Sequence, residues 1–142
     1  MRQKLAREKS SRKEPAQIFE YVLLITPRYN EQKKRLVTVV ALRTVKEFSN
    51  YRYEMIVENS LDDRRLRLNI MGLRPPELTF PGLGPATFET EYDNLNGSYE
   101  VVVTKLHKDV NIFRVHITPE KAVVKESPKS RFVDLVTRPE DW

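Results

Sequence analysis

From Phe19 onward the apolar side chains fall at every second position, and no window of twelve residues carries a helical stripe. Phe19, Tyr21, Leu23 and Ile25 share one parity, and Thr26-Pro27 is read as the end of that run. Residues 30–35 form a polar turn, and Leu36 to Phe48 is too rich in Val and Thr for a comfortable helix. It reads as one long strand with a bulge. Tyr51, Tyr53, Met55 and Val57 alternate with Arg52, Glu54 and Glu58, and Asn59–Asp63 reads as the next turn. Leu66, Leu68 and Ile70 then alternate with Arg65, Arg67 and Asn69. After a long connection, Gly72 to Pro85, the pattern resumes over Ala86–Tyr92, with Phe88 and Tyr92 opposed to Glu89 and Glu91. Tyr99, Val101 and Val103 follow, then a turn over Leu106–Val110, then Phe113, Val115 and Ile117. Val123-Val124 and Phe132–Val136 are the last predicted strands, and Phe132 to Trp142 reads equally as strand, helix or coil. A period of two is that of a strand with one wet face, so the chain is expected to be all-β.

The run Asn94-Leu95-Asn96-Gly97-Ser98-Tyr99-Glu100 has geometric content of its own. It resembles the tyrosine corner of immunoglobulin-like and fibronectin-type-III-like sandwiches, in which a Tyr opens a strand after an inter-sheet corner and its hydroxyl bonds the backbone just upstream. The resemblance implies that Leu95 plugs the corner, Gly97 takes the permissive dihedral and Tyr99 points inward. With turn signals every 8–12 residues, it implies an antiparallel β-sandwich of seven to nine strands, immunoglobulin-like in fold. The cysteine pair and intervening core Trp of antibody domains are missing, because the chain has no cysteine and its one Trp is Trp142. Such sandwiches serve many functions, so the resemblance speaks to fold alone.

Net charge is +5, and most of it lies at one end. Residues 1–14 carry Arg2, Lys4, Arg7, Lys9, Arg12 and Lys13 against Glu8 and Glu14, which leaves +1 for the remaining 128 residues. After Met1 this segment has only Leu5 and Ala6 as apolar groups, too few to offset the entropy of ordering it. The expected organisation is a disordered basic tail over residues 1–15, a β-sandwich domain over 16–137 and a C-terminal tail over 138–142. A secretory signal would need an apolar stretch and a small-residue cleavage site after the charges, and neither follows. A cytoplasmic protein without membrane insertion is the expectation.

Reaction chemistry finds little support. With no cysteine, thiolate metal sites and cysteine nucleophiles are excluded. The two histidines, His107 in a turn and His116 on an outward position, have no clustered spacing for metal binding. Glu89 and Glu91 share the outer face of one strand, where two carboxylates read as solvated surface rather than a glycosidase pair. Asp62-Asp63 before Arg64-Arg65 is a locally compensated turn, not a calcium loop. Pro81-Gly82-Leu83-Gly84-Pro85 lacks the Lys-Ser/Thr and the helix N-terminus of a phosphate cradle. Arg52, Arg65 and Arg67 form a basic stripe, but alternation sends Tyr51 and Tyr53 to the other face, away from where a base would stack. No cofactor and no metal are expected.

The segment from Leu73 to Pro85 stands apart. Its four prolines and two glycines prevent ladder pairing over most of its length, yet it holds Leu78, Phe80 and Leu83. Long connections are uncommon in compact domains and are often functional. The expectation is therefore a non-enzymatic interaction or scaffold module. An unidentified protein partner would meet Arg74, Leu78, Phe80 and Leu83, or add a strand to an exposed sheet edge. The alternative is a nucleic-acid-associated protein using Arg2, Lys4, Arg7, Lys9, Arg12 and Lys13 as a basic arm, with an OB-like barrel in place of the sandwich.

Overall fold

A computed structural model describes residues 18–75 and 82–142. The basic segment 1–15, with its six cationic residues, and Leu78 and Phe80 of the loop lie outside the described residues. Nine strands follow one another: β1 (Tyr21–Asn30), β2 (Arg35–Phe48), β3 (Glu54–Asp62), β4 (Arg65–Arg74), β5 (Gly84–Tyr92), β6 (Gly97–Lys105), β7 (Asp109–Ile117), β8 (Ala122–Glu126) and β9 (Val133–Val136). The one helical feature among the described residues is a single 3-10 turn over Pro139–Asp141. No helix there is long and apolar enough to cross a membrane.

The all-β expectation holds, but the architecture is not clearly the antiparallel sandwich that the sequence implies. The strands form one sheet in the order β8-β7-β6-β4-β3-β5-β2-β1-β9, curled until it is nearly closed. It is a mixed sheet: β1 runs parallel to β9, β4 to β6 and β3 to β5. The β3–β5 pairing is a single bridge, Glu54 to Thr87. That bridge is the one ladder between a half made of β8-β7-β6-β4-β3 and a half made of β5-β2-β1-β9.

The alternating residues face each other across these halves. Leu66, Leu68 and Ile70 of β4, Val101 and Val103 of β6, and Phe113, Val115 and Ile117 of β7 meet Leu23 and Ile25 of β1 and Val40 and Leu42 of β2. Each such side chain contributes about 1.5–3 kcal/mol when fully withdrawn from water. On the outside of β1 and β2, Trp142 and Val136 pack over Leu24, Val39 and Ala41, so the segment after residue 137 lies against the sheet. Arg43 stacks over the Trp142 ring at 5.4 Å and donates to the Trp142 carbonyl oxygen from Nη2 at 2.6 Å.

The corner is built as its residues imply. The chain crosses from β5 in one half to β6 in the other, Leu95 and Tyr99 are buried, and the Asn96 N–H donates to Tyr99 Oη at 3.0 Å. Gly97 has φ +127°, and Arg64 presses against its Cα while its guanidinium lies over the Tyr99 ring.

Four readings of the local sequence need correction. Pro27 does not end β1, which continues to Asn30 with Pro27 opposite Thr38. Beyond Leu24, β1 has β2 as its one ladder partner, and an edge strand tolerates a residue without an N–H. Asn59–Asp62 is strand rather than turn, because Leu61 pairs with Leu66 and Asp62 with Arg65, leaving only Asp63-Arg64 at the tip. Tyr51 is exposed, since it precedes the start of β3 and leans edge-on against Tyr53. The connection after Gly72 is also shorter than its prolines imply. Arg74 pairs with Glu54, Gly84 with Phe48 and Pro85 with Glu47.

Where the sheet stops short of closure, Asn111 of β7 bridges the seam. Its side chain, 3% exposed, accepts from the N–H groups of Phe132 (2.9 Å) and Val133 (3.2 Å) and donates to the Ser130 carbonyl (3.1 Å). The Phe132 carbonyl in turn accepts from Glu20 and Tyr21 at the head of β1. Replacing Asn111 with Ala strands two backbone donors, and urea denaturation is expected to register a loss of about 2–4 kcal/mol. The β6–β7 hairpin offers the opposite sign. Its central residues, Leu106 and His107, both have positive φ (52° and 59°), which suits Asn-Gly. The double substitution Leu106→Asn, His107→Gly is expected to raise stability by about 1 kcal/mol in the same assay.

Candidate functional site

One end of the sheet collects the start of β1, the end of β2, the end of β4 and the start of β5, together with both described ends of the Pro/Gly-rich loop. The ladder between β2 and β5 breaks between Arg43 and Glu47, the bulge that the sequence indicates. Thr44 fixes it. Its hydroxyl donates to the Lys46 carbonyl (2.8 Å) and accepts from the Ala86 N–H (2.9 Å). Val45, 45% exposed, has the outward parity of Val39 and Ala41, while Phe48 packs on the core edge-on to Tyr53 at 5.1 Å.

A pocket of about 450 Å³ lies between β1, β2 and β4. Its apolar lining includes Phe19, Tyr21, Val45, Phe48, Ile70 and Leu73. Gly72 is on the wall with φ +155°, and no atom lies within 4 Å of where a Cβ would stand. Leu73 of the lining is exposed, as are Ile18, next in the chain to Phe19, and Leu83 at 68%, next to the Gly84 that pairs with Phe48.

Charges ring this apolar centre without entering it. Lys105 Nζ reaches Glu20 Oε2 at 2.7 Å and sits 5.1 Å from the Phe132 ring centre, tying the end of β6 to the head of β1. Lys46 Nζ lies 5.2 Å from the Phe48 ring. The Glu20 carboxylate, by its hydrogen bond, holds the Lys105 ammonium above the ordinary lysine range. Burial pushes the Tyr21 hydroxyl up as well, helped by the charge of Glu20.

Of the residues singled out in the loop, Arg74 ends β4 with its guanidinium on Glu54 (Nη2–Oε1 2.7 Å), and Leu83 stands free of the core. The two are therefore at the same end but differently committed. The loop re-enters the described structure at Gly82, whose N–H donates to the Asn50 carbonyl at 3.2 Å, with the Arg52 side chain against its Cα. Phe19, Val45, Phe48 and Gly72 were not singled out by the sequence. The bulge was legible as an excess of β-branched residues, but where it breaks the ladder depends on pairing with β5, which lies about forty residues away.

Of the basic stripe, Arg65 is neutralised in place. Arg65, Glu100, Arg114 and Glu126 are successive cross-strand neighbours on the outer face, with Arg65–Glu100 at 2.6 Å and Arg114–Glu126 at 3.7 Å. His107 lies exposed in its turn with Asn69 Nδ2 3.1 Å from Nε2, and His116 is half-buried beside Val123. Among the described residues, no three His, Asp or Glu side chains gather as a metal site.

Both raised groups act in the same direction. Below about pH 10 each is in the protonated form that the folded chain prefers. As pH rises past that point the unfolded chain releases its protons first, so stability falls. Thermal midpoints are expected to drop as pH rises through the ordinary tyrosine and lysine range, about 10, and to drop less steeply for the variant Lys105→Met, Tyr21→Phe.

No family model matches the chain, and neither does any curated protein or solved structure.

Proposed function

We propose that the protein is a non-enzymatic interaction module that receives an apolar protein segment at this loop end. The observation that carries the reading is the solvent-facing pair Val45 and Leu73 in the lining of an apolar pocket, with the exposed Leu83 at the same end of the sheet. Exposed apolar groups gathered in one patch mark an interaction surface. Arg74 and Leu83 flank the contact, and the charged rim of Glu20, Lys46 and Lys105 orients the partner without desolvating at its centre. The likeness to immunoglobulin-like domains rests on the corner at Leu95 and Tyr99, and the reading of function does not need it.

Val45 and Leu73 are exposed, so the double variant Val45→Glu, Leu73→Glu should stay within about 0.5 kcal/mol of the parent by urea denaturation. In pull-downs with the full chain as bait it is expected to lose the partners that the parent retains. The control Ile112→Glu, an exposed apolar position on the outer face of β7, should keep them. Equal retention by both variants would sink the proposal.

A further inference from the structure

β3 and β5 run side by side and in the same direction, but after the Glu54–Thr87 bridge they part. From Val57 to Asp62, β3 is laddered to β4 alone, and from Phe88 to Tyr92, β5 is laddered to β2 alone. Two strand edges thus face one another with their ladder groups unmatched. Among the described residues the tie across the gap is a side-chain bond, from Tyr92 Oη to Asn59 Oδ1 at 2.6 Å. Edges of this kind are usually covered, shortened, bulged or blocked by proline; β3 bulges between Ile56 and Val57, and no proline stands in 57–62 or 88–92.

The slot has a polarity. On its inner side Val57, Phe88 and Tyr92 touch the core yet are only half-buried. On its outer side stand Glu58 and Asp62 from β3 and Glu89 and Glu91 from β5, the last two sharing Arg28 Nη2 at 2.8 and 2.9 Å. Arg28 serves both Glu89 and Glu91, Arg65 opposite Asp62 is committed to Glu100 at 2.6 Å, and Arg67 stands opposite Ser60, so two cations, Arg28 and Arg67, stand beside the four carboxylates.

We propose that this slot takes an extended peptide as an inserted strand, laddered to β3 on one side and β5 on the other. The segment it fits alternates apolar residues, which would complete the cover over Val57, Phe88 and Tyr92, with basic residues facing the outer carboxylates. Main-chain bonds would supply affinity and the alternation would supply register. The site is separate from the loop end and uses none of its residues.

The probe is an acetylated, amidated heptapeptide of alternating Lys and Val, titrated into the full chain and followed by amide chemical shifts and hydrogen exchange. Binding is expected to shift and protect amides within 57–62 and 88–92. A block peptide of the same composition, and an alternating peptide N-methylated at every second residue, should not produce this protection. The exposed double variant Glu58→Lys, Asp62→Lys, with its thermal midpoint checked, should bind at least about tenfold more weakly, equivalent to about 1.4 kcal/mol. Absence of saturable binding up to about 1 mM, or equal binding of the block peptide, would overturn the proposal. So would shifts that cluster at Val45 and Leu73 instead.

Discussion

A buried amide decides how this sheet can end. Curling nine strands toward closure brings β7 opposite the approach to β9, where the register offers no ladder. Unpaired N–H groups in a dry seam each cost more than a formed hydrogen bond returns. Asn111 presents an acceptor to Phe132 and Val133 and a donor to Ser130 from one side chain, which a hydroxyl cannot do with the same reach. The Phe132 peptide then serves both sides of the gap, because its carbonyl bonds the head of β1. The rest of the core inherits its enclosure from this arrangement. Without it, the inward faces of β1 and β7 would meet along a wet crack.

The two outer features follow from how the halves are joined. At the loop end, a bulge held by Thr44 interrupts the β2–β5 ladder beside the pocket that Val45 and Phe48 line. Near the same end, a single bridge holds β3 to β5, and the strands diverge beyond it. Both are departures from regular pairing, and both present apolar side chains to solvent. Elsewhere on the outer face the Arg65–Glu100–Arg114–Glu126 row alternates sign strand by strand.

What was legible in the sequence was the facing of side chains. Leu66, Leu68 and Ile70, then Tyr99, Val101 and Val103, then Phe113, Val115 and Ile117 all lie inward, because period two follows from the backbone pleat itself. The corner was legible for a similar reason: Leu95, Gly97 and Tyr99 act within five residues of one another. Partnership was not legible. That β4 lies beside β6 in parallel, or β1 beside β9, depends on crossovers whose lengths constrain direction only weakly. The same limit hid the pocket, since Phe19, Val45 and Ile70 meet only after β1, β2 and β4 have been placed. Pro27 misled because a local rule about donors ignores whether a strand lies at an edge.

The parallel pairing of β1 with β9 joins residues 21–24 to residues 133–136, almost the full span of the described chain. During synthesis the first strand therefore waits, one flank bare, until the segment that carries β9 has left the ribosome. Contacts of such long sequence separation slow assembly, because the loop must close before any reward arrives. The nascent molecule spends that interval with Leu24, Val39 and Ala41 not yet covered by Val136 and Trp142.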